Sequence, residues 1–162
     1  MNPWREVPVL AGRHVRLEPL ARTHADGLRE AAADGELFKL WFTTVPAPEA
    51  TEAYIDTALA LQAEGRALPF VVRDADGAIV GSTRFGHVEA AHRRVEIGWT
   101  WYAQRVQRSA LNTEAKRLLL GHAFETLDCI AVEFRTHWHN RRSRAAIERL
   151  GAMEDTKQLG EI

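Results

Sequence analysis

The sequence contains a single cysteine, Cys129, in 162 residues. One thiol cannot close an internal disulfide, so a disulfide scaffold is excluded and a reducing, cytoplasmic setting is expected. No apolar run approaches the roughly 20 residues of a membrane span. Residues 1–9 hold Arg5 and Glu6 but no apolar stretch, so they do not read as a secretory signal. Charge of one sign is also missing. Lys plus Arg number 21, Asp plus Glu 22, and the net charge is -1. Bulk attraction to nucleic acid or to a membrane surface is therefore not expected. No repeat, low-complexity tract or linker interrupts the chain.

Hydrophobic residues make up 46% of the chain, which is enough for a packed core, and the length fits one domain over 1–162. Residues 14–20 alternate apolar and polar side chains and read as a half-buried strand. Thr23 is placed to cap a helix reaching about Ala33. Pro46 and Pro48 then break the chain, and a second helix runs from 50 to about 64, stopped by Gly65. Short strands follow at 70–72 and 78–85, joined by a turn over 74–77, and another at 94–102. A helix is expected from Asn112 to about Thr126, a strand over 130–136 and a last helix over 141–150. Short turns between the middle strands imply an antiparallel meander. The strand, helix, strand order at the end implies one parallel pair. The fold class is α+β (α/β in some schemes), with a mixed, mostly antiparallel sheet and flanking helices.

The join between the 94–102 strand and the following helix has chemical interest. Residues 107–114 form a polar, small-residue turn opening into a helix. A helix start offers free N–H groups and the positive end of the dipole, which suits a phosphate. Arg105 and Arg108 add positive charge. The same residues also suit an ordinary helix cap at Ser109 or Asn112.

This stretch resembles the acetyl-CoA signature of the GNAT superfamily, Gln/Arg-x-x-Gly-x-Gly/Ala, with Gln107 first. Ala110 and Asn112 stand where that pattern has Gly and Gly or Ala. The run Asn112-Thr113-Glu114-Ala115-Lys116 is similar to the helix start of the RimJ/RimL-type branch, which acetylates N-terminal amines of ribosomal proteins. Downstream, Asn140 and Ser143, followed by Leu150-Gly151, resemble the family's Asn-x-x-Ser/Ala helix. The resemblance covers about 13–151. It implies the GNAT fold and acetyl-CoA as cofactor. It also implies a primary amine as acceptor, on a protein N-terminus or a small molecule. Cofactor contacts are expected from Trp101, Tyr102, Gln107, Arg108, Ser109, Ala110, Leu111, Asn112, Thr113, Asn140 and Ser143. The resemblance to the RimJ/RimL-type branch implies that Ser143 contacts the thiol sulfur; Ile147 stands where many relatives have the Tyr that protonates the departing thiolate.

The family's thioester slot lies at a strand bulge, expected here near Trp99 to Tyr102 beside Gly98. Glu96 is the expected base, directly or through a water, with His87, His137 and His139 as secondary candidates. A solvated Glu96 paired with Arg84 is the non-catalytic alternative. Trp41, Arg84 and Trp99 are expected to line the acceptor site. A metal is rejected, because His137 and His139 lack a further ligand at a suitable spacing. The basic run at 141–144 is followed by Glu148 and reads as a helix start, not a nucleic-acid contact. The family fold carries two more strands beyond the last helix. Only 152–162 remain here, so a truncated C-terminus and a dimer or larger assembly are expected. The competing reading is a non-catalytic acyl-CoA-binding or interaction domain that kept the fold.

Overall fold

The computed structural model describes residues 2–39 and 45–134; for Leu37 and Phe38 only the backbone is described. The strands β1 (Leu10–Ala11), β2 (Val15–Pro19), β3 (Leu68–Asp74), β4 (Ile79–Glu89), β5 (Arg94–Tyr102) and β6 (Ala131–Phe134) form one sheet in that order. Neighbours from β1 to β5 are antiparallel, and β5 and β6 are parallel. The mixed sheet and its single described parallel pair match the sequence reading. The short β1 was not foreseen, because two residues carry no periodic pattern. The β3–β4 turn closes as expected. Asp74 Oδ1 accepts from the N–H groups of Asp76 and Ala78, and Gly77 takes φ 88°.

The helices are α1 (Ala25–Ala33), α2 (Thr51–Ala63) and α3 (Ala110–Gly121), the last extended by a π turn over His122–Thr126. One expected cap is corrected, and one of two alternatives is selected. Thr23 does not cap α1; a 3-10 turn over Arg22–His24 precedes it, and His24 Nδ1 accepts the Ala21 N–H at 3.0 Å. Asn112 does not cap α3. Ser109 does, its Oγ accepting the Leu111 N–H. Among the described residues, no helix is long and apolar enough to cross a membrane.

The sheet has helices on both faces. Tyr54 of α2 bonds Ser82 of β4, which marks one face. On the other, the His122 ring after α3 packs on Phe85, which itself meets Phe70 edge-on. Leu17, Leu28, Ile55, Phe70, Val71, Val80, Phe85, Ile97 and Leu119 are buried in the resulting core. Glu114 ties α3 to the β1–β2 hairpin, its Oε1 accepting the N–H of His14 at 2.6 Å and of Val15 at 3.0 Å. Burial raises this carboxyl's pKa, but the N–H groups of His14, Arg13 and Val15 outweigh it and hold the pKa below the usual range.

Candidate active site

Strand alternation alone would put Glu96 and Gly98 on one face of β5, Trp99 and Trp101 on the other, and His87 of β4 on the face away from Glu96. Two bulges change that. In the β4–β5 ladder Ser82 faces Trp101 and Arg84 faces Gly98, so β5 carries one extra residue at Trp99–Thr100 opposite Thr83. Trp99 has φ 52°, in the left-handed region. Thr100 stays on the α3 face, bonding Thr83 through their hydroxyls at 2.8 Å. Trp99 is thereby turned onto the α2 face with Arg84 and Gly98. The bulge lies where the sequence reading expected it. Immediately before it, the described β5–β6 ladder ends at Ile97 and Phe134.

The second bulge is on β4. Gly86 faces Glu96 and Glu89 faces Arg94, leaving one extra residue at His87–Val88. His87 has φ 44° and swings onto the same α2 face. Its Nδ1 lies 2.6 Å from Glu96 Oε1, and its ring meets that of Trp99 edge-on at 5.4 Å. The Glu96 side chain is 6% exposed and that of His87 56%, so the pair runs from the interior to the surface. Glu96 was expected on the face opposite Val95 and Ile97, and it is. It is not a solvated residue on an open face, however. Its register partner is Gly86, and its ion pair is with His87 rather than Arg84. Arg84 instead lies between two rings, its Cζ 5.5 Å from the Tyr54 centroid and 5.3 Å from that of Trp99.

Both glycines of this face have packing reasons. A Cβ on Gly86 would sit 2.1 Å from Cζ3 of Trp99. A Cβ on Gly98 would sit 3.1 Å from Glu96 Oε2. A cleft beside them is lined by His87, Glu89, Arg94, Val95, Glu96 and Glu133. Arg94 is bonded to Glu133, and carboxylates outnumber the guanidinium in the described lining of the cleft.

The β5 strand then leads directly to α3. The side chains of Trp101 and Tyr102 are buried, so these two residues offer a ligand their backbone, not their rings. Trp101 Nε1 donates to Tyr54 Oη at 3.4 Å, and burial pushes the Tyr102 phenol pKa up. Gln107 Nε2 donates to the Tyr102 carbonyl at 3.1 Å, bracing the loop against the strand end. Arg108 has φ 62°, and Ser109 Oγ donates to the Val106 carbonyl at 2.5 Å. Ala110 is the first residue of α3 and is not among the residues with positive φ. Alanine therefore replaces glycine there without backbone strain. The first turn of α3 carries no acidic side chain, and Arg105, Arg108, Ser109 and Ala110 are exposed. Ser109 takes one free N–H, and the remaining ones suit an anion, so this donor set fits a cofactor phosphate. Leu111 is buried and serves the core. Asn112 and Thr113 are half-buried, and Asn112 Oδ1 accepts from Lys116 Nζ at 3.1 Å.

Trp41, Asn140, Ser143, His137, His139 and Ile147 lie outside the described residues. The sequence reading missed Tyr54, whose helix gives no sign that one aromatic reaches across to β4. It gave His87 only a secondary place; the glycine just before it, inside a strand, was the available bulge signal.

The acetyltransferase (GNAT) domain family matches residues 14–153. The Bacillus subtilis (strain 168) protein named "Putative ribosomal N-acetyltransferase YdaF" is 33% identical over 82 residues, 51% of this chain and 44% of that protein. The chain thus matches less than half the length of this curated relative. A GCN5-related N-acetyltransferase from Brucella melitensis superposes with TM-score 0.76 at 33% identity, over 90% of this chain and 67% of that one. Mycobacterium smegmatis RimJ in complex with CoA-disulfide superposes with TM-score 0.75 at 25% identity, over 94% and 78%. A matched family spanning most of the chain, and neighbours of this kind, make it a member of the GNAT acetyltransferase family, in the RimJ/RimL-type branch.

Proposed function

We propose that this chain is an acetyl-CoA-dependent N-acetyltransferase acting on a primary amine, at a protein N-terminus or on a small molecule, by direct attack with both substrates bound. One observation carries the reading. Glu96, the β5 bulge and the acid-free start of α3 follow one another along a single strand–loop–helix unit, with His87 of β4 bonded to Glu96. Bound acetyl-CoA would supply a thioester whose C–S bond breaks as the amide C–N bond forms. The N–H groups of the first α3 turn, with Arg105 and Arg108, would hold its phosphates. The backbone N–H of Tyr102, which points away from β4 just after the bulge, would face the developing oxyanion. Asn140 and Ser143 are proposed for the pantetheine arm and the sulfur.

An amine attacks only when neutral, so a proton must leave it. Glu96 is the proposed base. Its carboxylate is shielded from water, and the half-exposed His87 ring bonded to it offers the proton a way out. The acidic cleft would draw in the ammonium form.

The test is turnover of the purified full chain on peptides, polyamines and amino acids, followed by thiol release. Glu96→Gln should lower kcat about 10²- to 10³-fold, in the range of a lost general base. The rise in Tm on adding coenzyme A should persist in that variant. A Tm rise in the wild type without transfer to any amine would favour the non-catalytic acyl-CoA-binding alternative. No rise at millimolar coenzyme A would remove both readings.

A further inference from the structure

We propose that Arg84 is a carboxylate subsite, so that the preferred acceptor is an amine carrying a carboxylate within a few atoms of its nitrogen. This rests on the acceptor site being the α2 face of β4 and β5, as proposed above. Arg84 is 5% exposed, and its buried Nε has no hydrogen-bond partner among the described residues. Buried guanidinium groups are ordinarily matched by a carboxylate, because an unpaired N–H in a dry site keeps its desolvation cost. Here the described environment supplies rings instead. Tyr54 and Trp99 hold the Cζ at 5.5 and 5.3 Å, fixing the plane of the fork while leaving a donor unused. Cation–π contact stabilises the charge but accepts no hydrogen bond.

The register then sets the ligand. Arg84 faces Gly98, and Glu96 Oε2 lies 3.1 Å from where a Gly98 Cβ would stand. The proposed base therefore leans over the residue directly opposite Arg84. A ligand with its ammonium at Glu96 has its neighbouring atoms at the guanidinium. A carboxylate there accepts two parallel N–H bonds from the planar fork, which a neutral carbonyl cannot do. Such a carboxylate can belong to a free amino acid or to the side chain of an acidic residue beginning a peptide.

Matched pairs separate these sources. With saturating acetyl-CoA, kcat/KM is measured for L-alanine against L-alaninamide, and for Asp-Ala-amide against Asn-Ala-amide. A 10- to 100-fold advantage for the acid is expected in one pair, the range of a charge-assisted hydrogen-bond pair. Preference within the alanine pair identifies a free amino acid. Preference within the peptide pair alone identifies a peptide-borne carboxylate. Equal values in both pairs overturn the subsite while leaving the acetyltransferase reading intact. Arg84→Gln should abolish the preference and Arg84→Lys keep part of it, as a point charge without the fork. If no amine is acetylated, calorimetric titration of the same four compounds onto the full chain decides independently. Tighter binding of the acids sustains the subsite, and equal or absent binding sinks it.

Discussion

Gly86→Ala would place a methyl carbon 2.1 Å from Cζ3 and 2.5 Å from Cη2 of Trp99. Carbon atoms rest at about 3.5–4.0 Å, so the indole must retreat by about 1.5 Å. It has little freedom to do so. Its position follows from φ 52° at the bulge, and it is flanked by Arg84 at 5.3 Å and His87 at 5.4 Å. Dissolving the bulge is no escape, because a one-residue slip would drive Trp101 to the opposite face and out of the core. The ring therefore swings off Arg84 and His87. Overpacking of this kind costs about 1–3 kcal/mol, which in a chain of this length lowers Tm by roughly 3–10 °C. The catalytic loss should be larger, since about 1 Å of misplacement at a reacting site costs on the order of 10²-fold in rate. Calorimetry and kcat/KM on one preparation read both effects. Gly121→Ala is the matched control, as nothing lies within 4 Å of its Cβ. It should leave activity alone and stabilise by about 0.5–1 kcal/mol. If Gly86→Ala keeps both its Tm and its kcat/KM, the indole is not fixed as argued and the bulge does not order the site.

Glu114→Ala should cost about 1–2 kcal/mol near pH 7, discounted for its partial exposure. The native carboxyl titrates below the ordinary 4.5, so its contribution is fully present above that pH and fades as pH falls through the lower native value. Urea midpoints of the two proteins should therefore converge in acid, and a constant gap would refute this. Burial pulls Lys116 down to about 8. Between about 8 and the ordinary 10.5 the unfolded chain binds more protons, so stability rises with pH in that window. Lys116→Met should remove the rise and stabilise the protein at neutral pH, as seen in thermal melts across pH 7–10. Ser109→Ala removes the cap of α3 and should cost about 1 kcal/mol in urea unfolding.

The elements with strong patterns were legible. Alternation located β2, the turn at 74–77 located β3 and β4, and the proline and glycine breaks located α2. The parallel β5–β6 pair followed from element order alone. The cap at Thr23 was misplaced, and that of α3 stood open between Ser109 and Asn112, because several polar residues could serve and local hydrogen bonds selected among them. His24 bonds Ala21, and Asn112 is held by Lys116. The site was legible as chemistry but not as geometry. Gly98 hinted at the first bulge and Gly86 was the available signal for the second, but nothing in the pattern of β4 announced that His87 would reach Glu96. Burial of the Trp101 and Tyr102 rings was likewise hidden, since aromatic residues at a strand end suit either a core or a ligand.

The backbone strain at the two bulges is itself an argument about function. Trp99 and His87 both occupy the left-handed region, which costs a residue with a side chain about 1–2 kcal/mol each. Packing alone does not require this. Regular ladders would send both rings to the α3 face, where Phe85, Ile97 and Leu119 already build a core. The bulges instead bring an imidazole and an indole to the Glu96 carboxylate and the Arg84 guanidinium on the α2 face of β4 and β5. Each glycine there makes room for one of these groups, Gly86 for the indole and Gly98 for the Glu96 carboxylate. Strain spent on bringing polar groups together, beside a cleft and ahead of a helix start, is what a binding or catalytic site requires and a packing core does not. Variants that relax the β4 bulge at His87–Val88, where no core side chain changes face, should therefore keep stability while losing transfer, the reverse of what a core substitution does.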